Sequence, residues 1–161
     1  FDNNSFKSSA KNLRCLIQID GFFEHHHHSK ETIPYYISRK DNEPITLAGL
    51  WNEWTDPNTD EVLNTFAIVT TEGNPMMATI HNNPKLKGPR MPVILPEELE
   101  DKWLHGYDDE LVQQAVEGLI EKYPETNMQA HSVGKLRGKN AMGNVPEALE
   151  VFEYDDVPVE Y

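Results

Sequence analysis

From Arg14 to Leu95 the sequence breaks into short runs rich in β-branched and aromatic residues, divided by turn formers, and this spacing constrains the fold more than any other feature. Residues 15–20 (CLIQID), 35–39 (YYISR), 45–51 (ITLAGLW), 65–71 (TFAIVTT) and 92–95 (PVIL) have the length and residue type of strands. Asp41-Asn42 before Glu43 predicts a hairpin turn between the second and third, and Asp56-Pro57-Asn58 breaks the chain after the third. Helical signals come later. Asn74 is an N-cap candidate with Pro75 at the first helical position, so MMATIH runs one to two turns and puts His81 at its end. Pro96 with Glu97, Glu98 and Glu100 opens a second helix, its acids placed where the helix dipole favours them. Asp108 caps a third, with Leu111, Val112, Ala115, Val116, Leu119 and Ile120 as its apolar face. Residues 128–133 read as a last strand. Strands first and helices later predict an α+β fold, with helices on one side or end of a curved antiparallel sheet.

No apolar run approaches the roughly 20 residues that cross a bilayer, so no membrane partner is expected. The single cysteine, Cys15, permits no intrachain disulfide and no cysteine-built zinc knuckle, which fits a reducing, cytoplasmic setting. Charge is unevenly spread. The net −13 comes from residues 93–126, at −8, and 146–161, at −6, while the rest sums to +1. Within that remainder, 82–92 carries Lys85, Lys87 and Arg90 with no acid, and 132–144 carries Lys135, Arg137 and Lys139 with no acid. Each is either a solvated loop or one wall of a local basic groove able to meet phosphate.

Four consecutive histidines, His25 to His28, follow Glu24. Imidazoles beside a carboxylate can bind zinc, copper or nickel, but adjacent side chains of an extended segment point to opposite faces, so only alternate members converge. The run therefore reads as a polar loop or strand end rather than a metal site. Cys15 sits inside a predicted strand, where a free cysteine usually serves as a small core hydrophobe, although histidines are present that can activate a thiol. Glu24 closes DGFFE, where Asp20-Gly21 bends the chain and Phe22 and Phe23 supply apolar walls; a carboxylate so placed is either a general acid or a strand-end surface residue. His81 is either a helix-end structural residue or an acid–base group near a sugar or phosphate.

Taken together, RCLIQIDGFFE (14–24), PYYI (34–37), LAGLWNEW (47–54), TFAIVTTEGNPMMATIH (65–81), RMPVIL (90–95) and the Trp103-Leu104 pair resemble, in order, the SOS-response-associated peptidase family, the SRAP domain. The resemblance implies a mainly antiparallel, β-barrel-like core with peripheral helices, covering residues 1–152, with 153–161 as a loosely ordered acidic tail. It also implies recognition of abasic sites in single-stranded DNA and covalent attachment to them, without a cofactor or metal. The chemistry of that family resides in a cysteine exposed as residue one by removal of the initiator methionine, an asparagine in an Asn-Ala-Arg segment, a glutamate closing DGF-x-E and a histidine before RMP. Glu24 and His81 match the last two, and Arg90 matches the adjacent arginine, with Lys85 and Lys87 as more peripheral DNA contacts.

Three departures qualify the match. The chain begins FDNNSFK and holds neither the initial Met-Cys-Gly-Arg nor the Asn-Ala-Arg segment, so roughly the first third of the domain, with its nucleophile, is expected to lie outside it. PKLKGP (84–89) lengthens the link from His81 to RMP, and GFFE is followed by His25 where the family commonly has Trp. Two other readings stay open at this point: a non-catalytic module that binds nucleic acid or protein, and a metal-dependent hydrolase built on the histidine run. The sequence alone does not set the oligomeric state.

Overall fold

A computed structural model describes residues 7–105, 114 and 116–161 of the chain. The elements run α1 (Lys7–Asn12), β1 (Arg14–Ile19), β2 (Phe22–His28), β3 (Glu31–Arg39), β4 (Ile45–Thr55), β5 (Val62–Ile68), β6 (Thr70–Glu72), α2 (Pro75–Ile80), β7 (Arg90–Pro92), α3 (Glu97–Leu104) and β8 (Met128–Ser132), with short 3-10 turns at Glu125–Asn127 and Pro146–Leu149. They form antiparallel sheets ordered β1-β4-β5 and β2-β3-β8 and a two-stranded β6-β7 ribbon. This is the expected α+β class, although the described strands make separate small sheets rather than a closed barrel. The chain divides into two compact units. One holds the described parts of Phe1–Gln18, Thr46–Thr71 and Pro92–Glu121; the other holds Ile19–Ile45, Glu72–Met91 and Lys122–Tyr161.

The second unit carries the predicted site residues Glu24, His81, Lys85, Lys87 and Arg90 and is built on β3. Its alternation places Ile33, Tyr35 and Ile37 on one buried face, and β2 and β8 pair along its two edges. The histidine run is not a loop. All four imidazoles lie in β2, registered so that Glu24 faces Tyr35 and His26 faces Ile33. Imidazole carries no strong strand signal; pairing to the apolar β3 decides the conformation instead. His26 turns inward, its ring edge against Tyr35 and its Nδ1 3.0 Å from the Thr79 carbonyl, as an amphipathic ring can when its polar atom finds a partner. Gly21 is obligatory at the start of β2, because a Cβ there would stand 2.5 Å from the Ile37 carbonyl oxygen.

Helix α2 forms as its sequence predicts. The Asn74 side chain accepts from the Met77 amide at 2.9 Å, Pro75 occupies the first turn, and Met77 and Ile80 are fully buried. The Asp41-Asn42 turn is also present, with Asn42 at φ 60°, but it does not close a hairpin: β3 and β4 belong to different sheets. The acidic end is docked rather than loose. Ala130 and Tyr161 exchange backbone hydrogen bonds, Ser132 donates to Val159, and the Tyr35 hydroxyl donates to the Pro158 carbonyl. The acids obscured the alternation that makes this pairing possible: Val157, Val159 and Tyr161 are half-buried while Pro158 and Glu160 are exposed.

In the first unit, Ala48, Leu50, Val93, Leu95, Trp103 and Val116 form the core. The Trp103 indole donates to the Cys15 carbonyl at 3.1 Å, and buried Arg14 donates to the carbonyls of Ala10, Trp103 and His105, tying α1, β1 and the end of α3 together. The predicted 92–95 strand meets β4 through a Leu47–Ile94 bridge. Of the third predicted helix, Asp108, Leu111, Val112 and Ala115 lie outside the described residues; Val116 is buried in the core, with Leu119 and Ile120 packed against it. No helix among the described residues is long and apolar enough to cross a membrane.

Candidate functional site

Three contacts stitch α2 and the turn after it to the exposed edge of β2. His26 meets Thr79; the Asn82 side chain accepts from the His27 amide at 2.7 Å and donates to the His27 carbonyl at 3.0 Å; and His81 approaches Glu24. The pair of Asn82 bonds does for His27 what another strand would, satisfying an edge backbone that otherwise faces water. These ties fix the site. The Glu24 Oε2 lies 3.8 Å from His81 Nδ1, and its Oε1 accepts from the His25 amide at 2.7 Å. The two side chains are 25% and 14% exposed, so both are reachable from solvent yet held.

His81 sits at the C-cap of α2, where its Nδ1 is 3.0 Å from both the amide nitrogen and the carbonyl oxygen of Arg90. A neutral ring with its proton on Nε2 accepts from the Arg90 amide; a protonated ring donates to the Arg90 carbonyl and faces the Glu24 carboxylate. Both protonation states therefore find a partner without rotation of the ring, which suits a group that passes protons.

Glu24 and His81 line a cleft of about 420 Å³ with His25, His27, Lys135 and Arg137. Alternation along β2 puts His25 and His27 on one face and Glu24 and His26 on the other; Glu24 also reaches the cleft, whereas His26 packs inward. Burial pushes the His25 imidazole below its ordinary value, opposed by Glu24 and reinforced by Arg137, His27 and Lys135, so the ring is neutral at physiological pH. Among the described residues no three His, Cys, Asp or Glu side chains are grouped to hold a metal ion.

The predicted basic residues are not those of the cleft. Lys85 and Lys87 are exposed on the turn after α2, and Arg90 is exposed at the start of β7, its backbone on His81 and its charge felt at Glu72; none of the three lines the cleft. The cations that do are Lys135 and Arg137, from the second acid-free stretch. That stretch is visible in the sequence, but its proximity to Glu24 is not, because the loop after β8 reaches β3 across 104 residues of chain. Cys15 lies half-buried in β1 of the first unit, its thiol pushed up by burial and thus a weak nucleophile, in keeping with a packing role.

Fold and site together define an α+β protein of small antiparallel sheets whose glutamate–histidine pair lies in a cleft edged by cations. Residues 1–139 match the sequence profile of the SOS response associated peptidase (SRAP) family, and the chain belongs to that family, as the ordered blocks of the sequence led one to expect. It is 32% identical over 147 residues to the abasic site processing protein YoqW of Bacillus subtilis, covering 91% of this chain and 61% of that protein. It is 29% identical over 163 residues to the abasic site processing protein HMCES of Xenopus tropicalis, covering 89% of this chain and 45% of that protein. A solved protein from Bacteroides thetaiotaomicron superposes with a TM-score of 0.78 at 29% identity, over 93% of this chain and 61% of that one. The chain thus spans about 61% of YoqW and less than half of HMCES.

Proposed function

We propose that this protein acts on abasic sites in single-stranded DNA and becomes covalently attached to them. The observation that carries the reading is the Glu24–His81 pair, 3.8 Å apart in a cleft with Lys135 and Arg137 on its wall. Relatives named for abasic site processing support abasic sites as the substrate class.

An abasic deoxyribose is mostly a closed hemiacetal. Opening it moves a proton from the anomeric hydroxyl to the ring oxygen, and Glu24 is the group that shuttles it, with His81 holding or protonating a sugar or phosphate oxygen. The aldehyde so exposed is attacked by an α-amino group, which has a pKa of about 8 and so is far more often neutral than a lysine amine. Loss of water gives an imine. Addition of the same residue's thiol to the imine carbon closes a five-membered thiazolidine, with aldehyde and aminothiol joined and one water released. Amine and thiol belong together on an N-terminal cysteine, which self-cleavage exposes by removing the initiator methionine. Cys15 does not serve: it is internal, its nitrogen is a peptide amide, and its thiol is half-buried.

The test is adduct formation on an abasic single-stranded oligonucleotide, read on a denaturing gel. The 161 residues alone form no adduct, and the protein beginning Met-Cys-Gly does. An adduct formed by the 161 residues themselves overturns the reading and points to Cys15 or a lysine.

A further inference from the structure

The cleft wall opposite His81 carries a charge that the glutamate–histidine chemistry does not use. Lys135 is occupied: its Nζ donates to the Thr32 carbonyl at 2.9 Å and to Glu31 Oε2 at 3.3 Å, and it lies 5.1 Å from the centre of the Tyr154 ring. Arg137, two residues on, is exposed at the cleft and makes no hydrogen bond or ion pair with any described residue. An arginine fork left open in a chain of net charge −13 stands out, because most of the surface repels the anions that such a fork binds.

Its surroundings suit one anion class. His25 and His27 share the cleft with it; His25 is neutral, so its ring can donate one hydrogen bond without adding charge. Thr32 and Asn83 add further polar side chains, and among the described residues the only carboxylate lining the cleft is Glu24, which is already engaged by the His25 amide. The mixture of one open guanidinium, the His25 imidazole and small polar groups fits a singly charged diester better than a carboxylate-rich or strongly apolar ligand. Along β2, Glu24 and His27 are about 10 Å apart, and although they belong to opposite faces of the strand both line the cleft, so a strand lying in the cleft can have its sugar at one end and a neighbouring phosphate at the other.

We infer that Arg137 is the phosphate-binding residue of the cleft, gripping a backbone phosphate beside the abasic sugar while the DNA strand runs over His25 and His27. The inference rests on the abasic-site reading of the same cleft and redirects it: the strand follows the cleft beside β2, not the turn that carries Lys85 and Lys87. Lys135, held by Glu31 and Thr32, is a positioning charge rather than a contact.

The experiment uses a labelled single-stranded oligonucleotide carrying a tetrahydrofuran abasic analogue, which has no aldehyde and so reports binding without reaction. Fluorescence anisotropy across a salt series gives affinity and its salt slope. One lost phosphate contact on a single strand lowers the slope by about 0.7, which is about a fivefold loss of affinity at 0.1 M salt. Arg137→Ala produces that loss, Arg137→Lys recovers the slope but not the full affinity, and Lys102→Ala, on α3, changes neither. Being exposed, Arg137 is replaced without risk to folding. An unchanged slope in Arg137→Ala, or no measurable binding by the unaltered chain, overturns the inference. If the slope falls as expected but the Met-Cys-Gly protein forms no adduct with a true abasic site, the phosphate grip stands and the abasic chemistry falls.

Discussion

The pairs β2–β3 and β4–β5 are both antiparallel ladders registered over seven residue pairs, yet they differ in what their side chains meet. In β3, Ile33, Tyr35 and Ile37 are buried; Glu24 is registered on their face, opposite Tyr35, while His25 and His27 lie on the other, opposite Pro34 and Thr32. In β4 the first six residues are buried, but from Trp51 outward the hairpin is exposed. Trp51 and Phe66 stand directly opposite one another with Ile68 next on the same face, the Glu53–Asn64 pair separating them from Val62, and Phe66 is 65% exposed. A strand pattern states which side chains share a face; it does not state what lies over that face. Scattered exposed apolar residues are ordinary, but a contiguous set such as this one is not.

The comparison can be broken most directly with one substitution made twice. Ile37→Ala removes a fully buried side chain from β3 and should cost about 2–5 kcal/mol in urea unfolding. Ile68→Ala removes one that is 44% exposed on β5 and should cost less than about 1 kcal/mol. Equal losses would mean that the hairpin face is covered in solution.

A second pair separates chemistry from charge. In the protein beginning Met-Cys-Gly, Glu24→Gln should slow adduct formation about 100-fold or more, the usual yield of a general acid–base group, without changing the unfolding midpoint. Glu53→Gln, an equally simple change on exposed β4, should leave the rate alone. If the two variants react alike, the proton shuttle lies elsewhere.

A smaller effect concerns His25. Its folded-state pKa is lowered, chiefly by burial, so the unfolded chain binds a proton more readily than the folded one. Stability from this group is therefore full above the unfolded value of about 6.5 and is lost as pH falls from there through the folded value. His25→Gln should remove that part of the acid sensitivity, measured as a shallower fall of the urea midpoint below about pH 6.5. An unchanged pH profile would place His25 in bulk-like solvent. The least effect is expected at Lys135→Met, where loss of a partly exposed ion pair with Glu31 should cost no more than about 1 kcal/mol.

Local signals in the sequence were reliable where the cause is local. Asn74 and Pro75 start α2, Pro96 with its following acids starts α3, and the Asp56-Pro57-Asn58 break closes the β4–β5 loop, each through chemistry contained within a few residues. Glu24 and His81 were recognisable from the order of the blocks around them, not from charge or periodicity. Misreadings arose where a distant partner decides. The histidine run, readable as loop or strand end, is a strand end because β3 offers it a ladder, and the acidic terminus, expected to be loosely ordered, docks because β8 offers an edge. Arg137 escaped notice as a site residue because its position at the cleft follows from folding the loop after β8 back onto β2 and β3, which no local pattern records.

The uneven covering of the hairpin also has an optical side. The chain contains three tryptophans: Trp51 and Trp54 are exposed on β4, while Trp103 is fully enclosed, its indole nitrogen bonded to two carbonyls. Emission from the native protein is thus a sum of two solvent-relaxed, red-shifted indoles and one shielded, blue-shifted indole, and iodide should quench only the first two. Whatever settles on the Trp51–Phe66 face would shift and protect the Trp51 share of that red component while leaving Trp54, on the other face, and Trp103 as internal references, so the molecule carries its own readout of when that face is occupied.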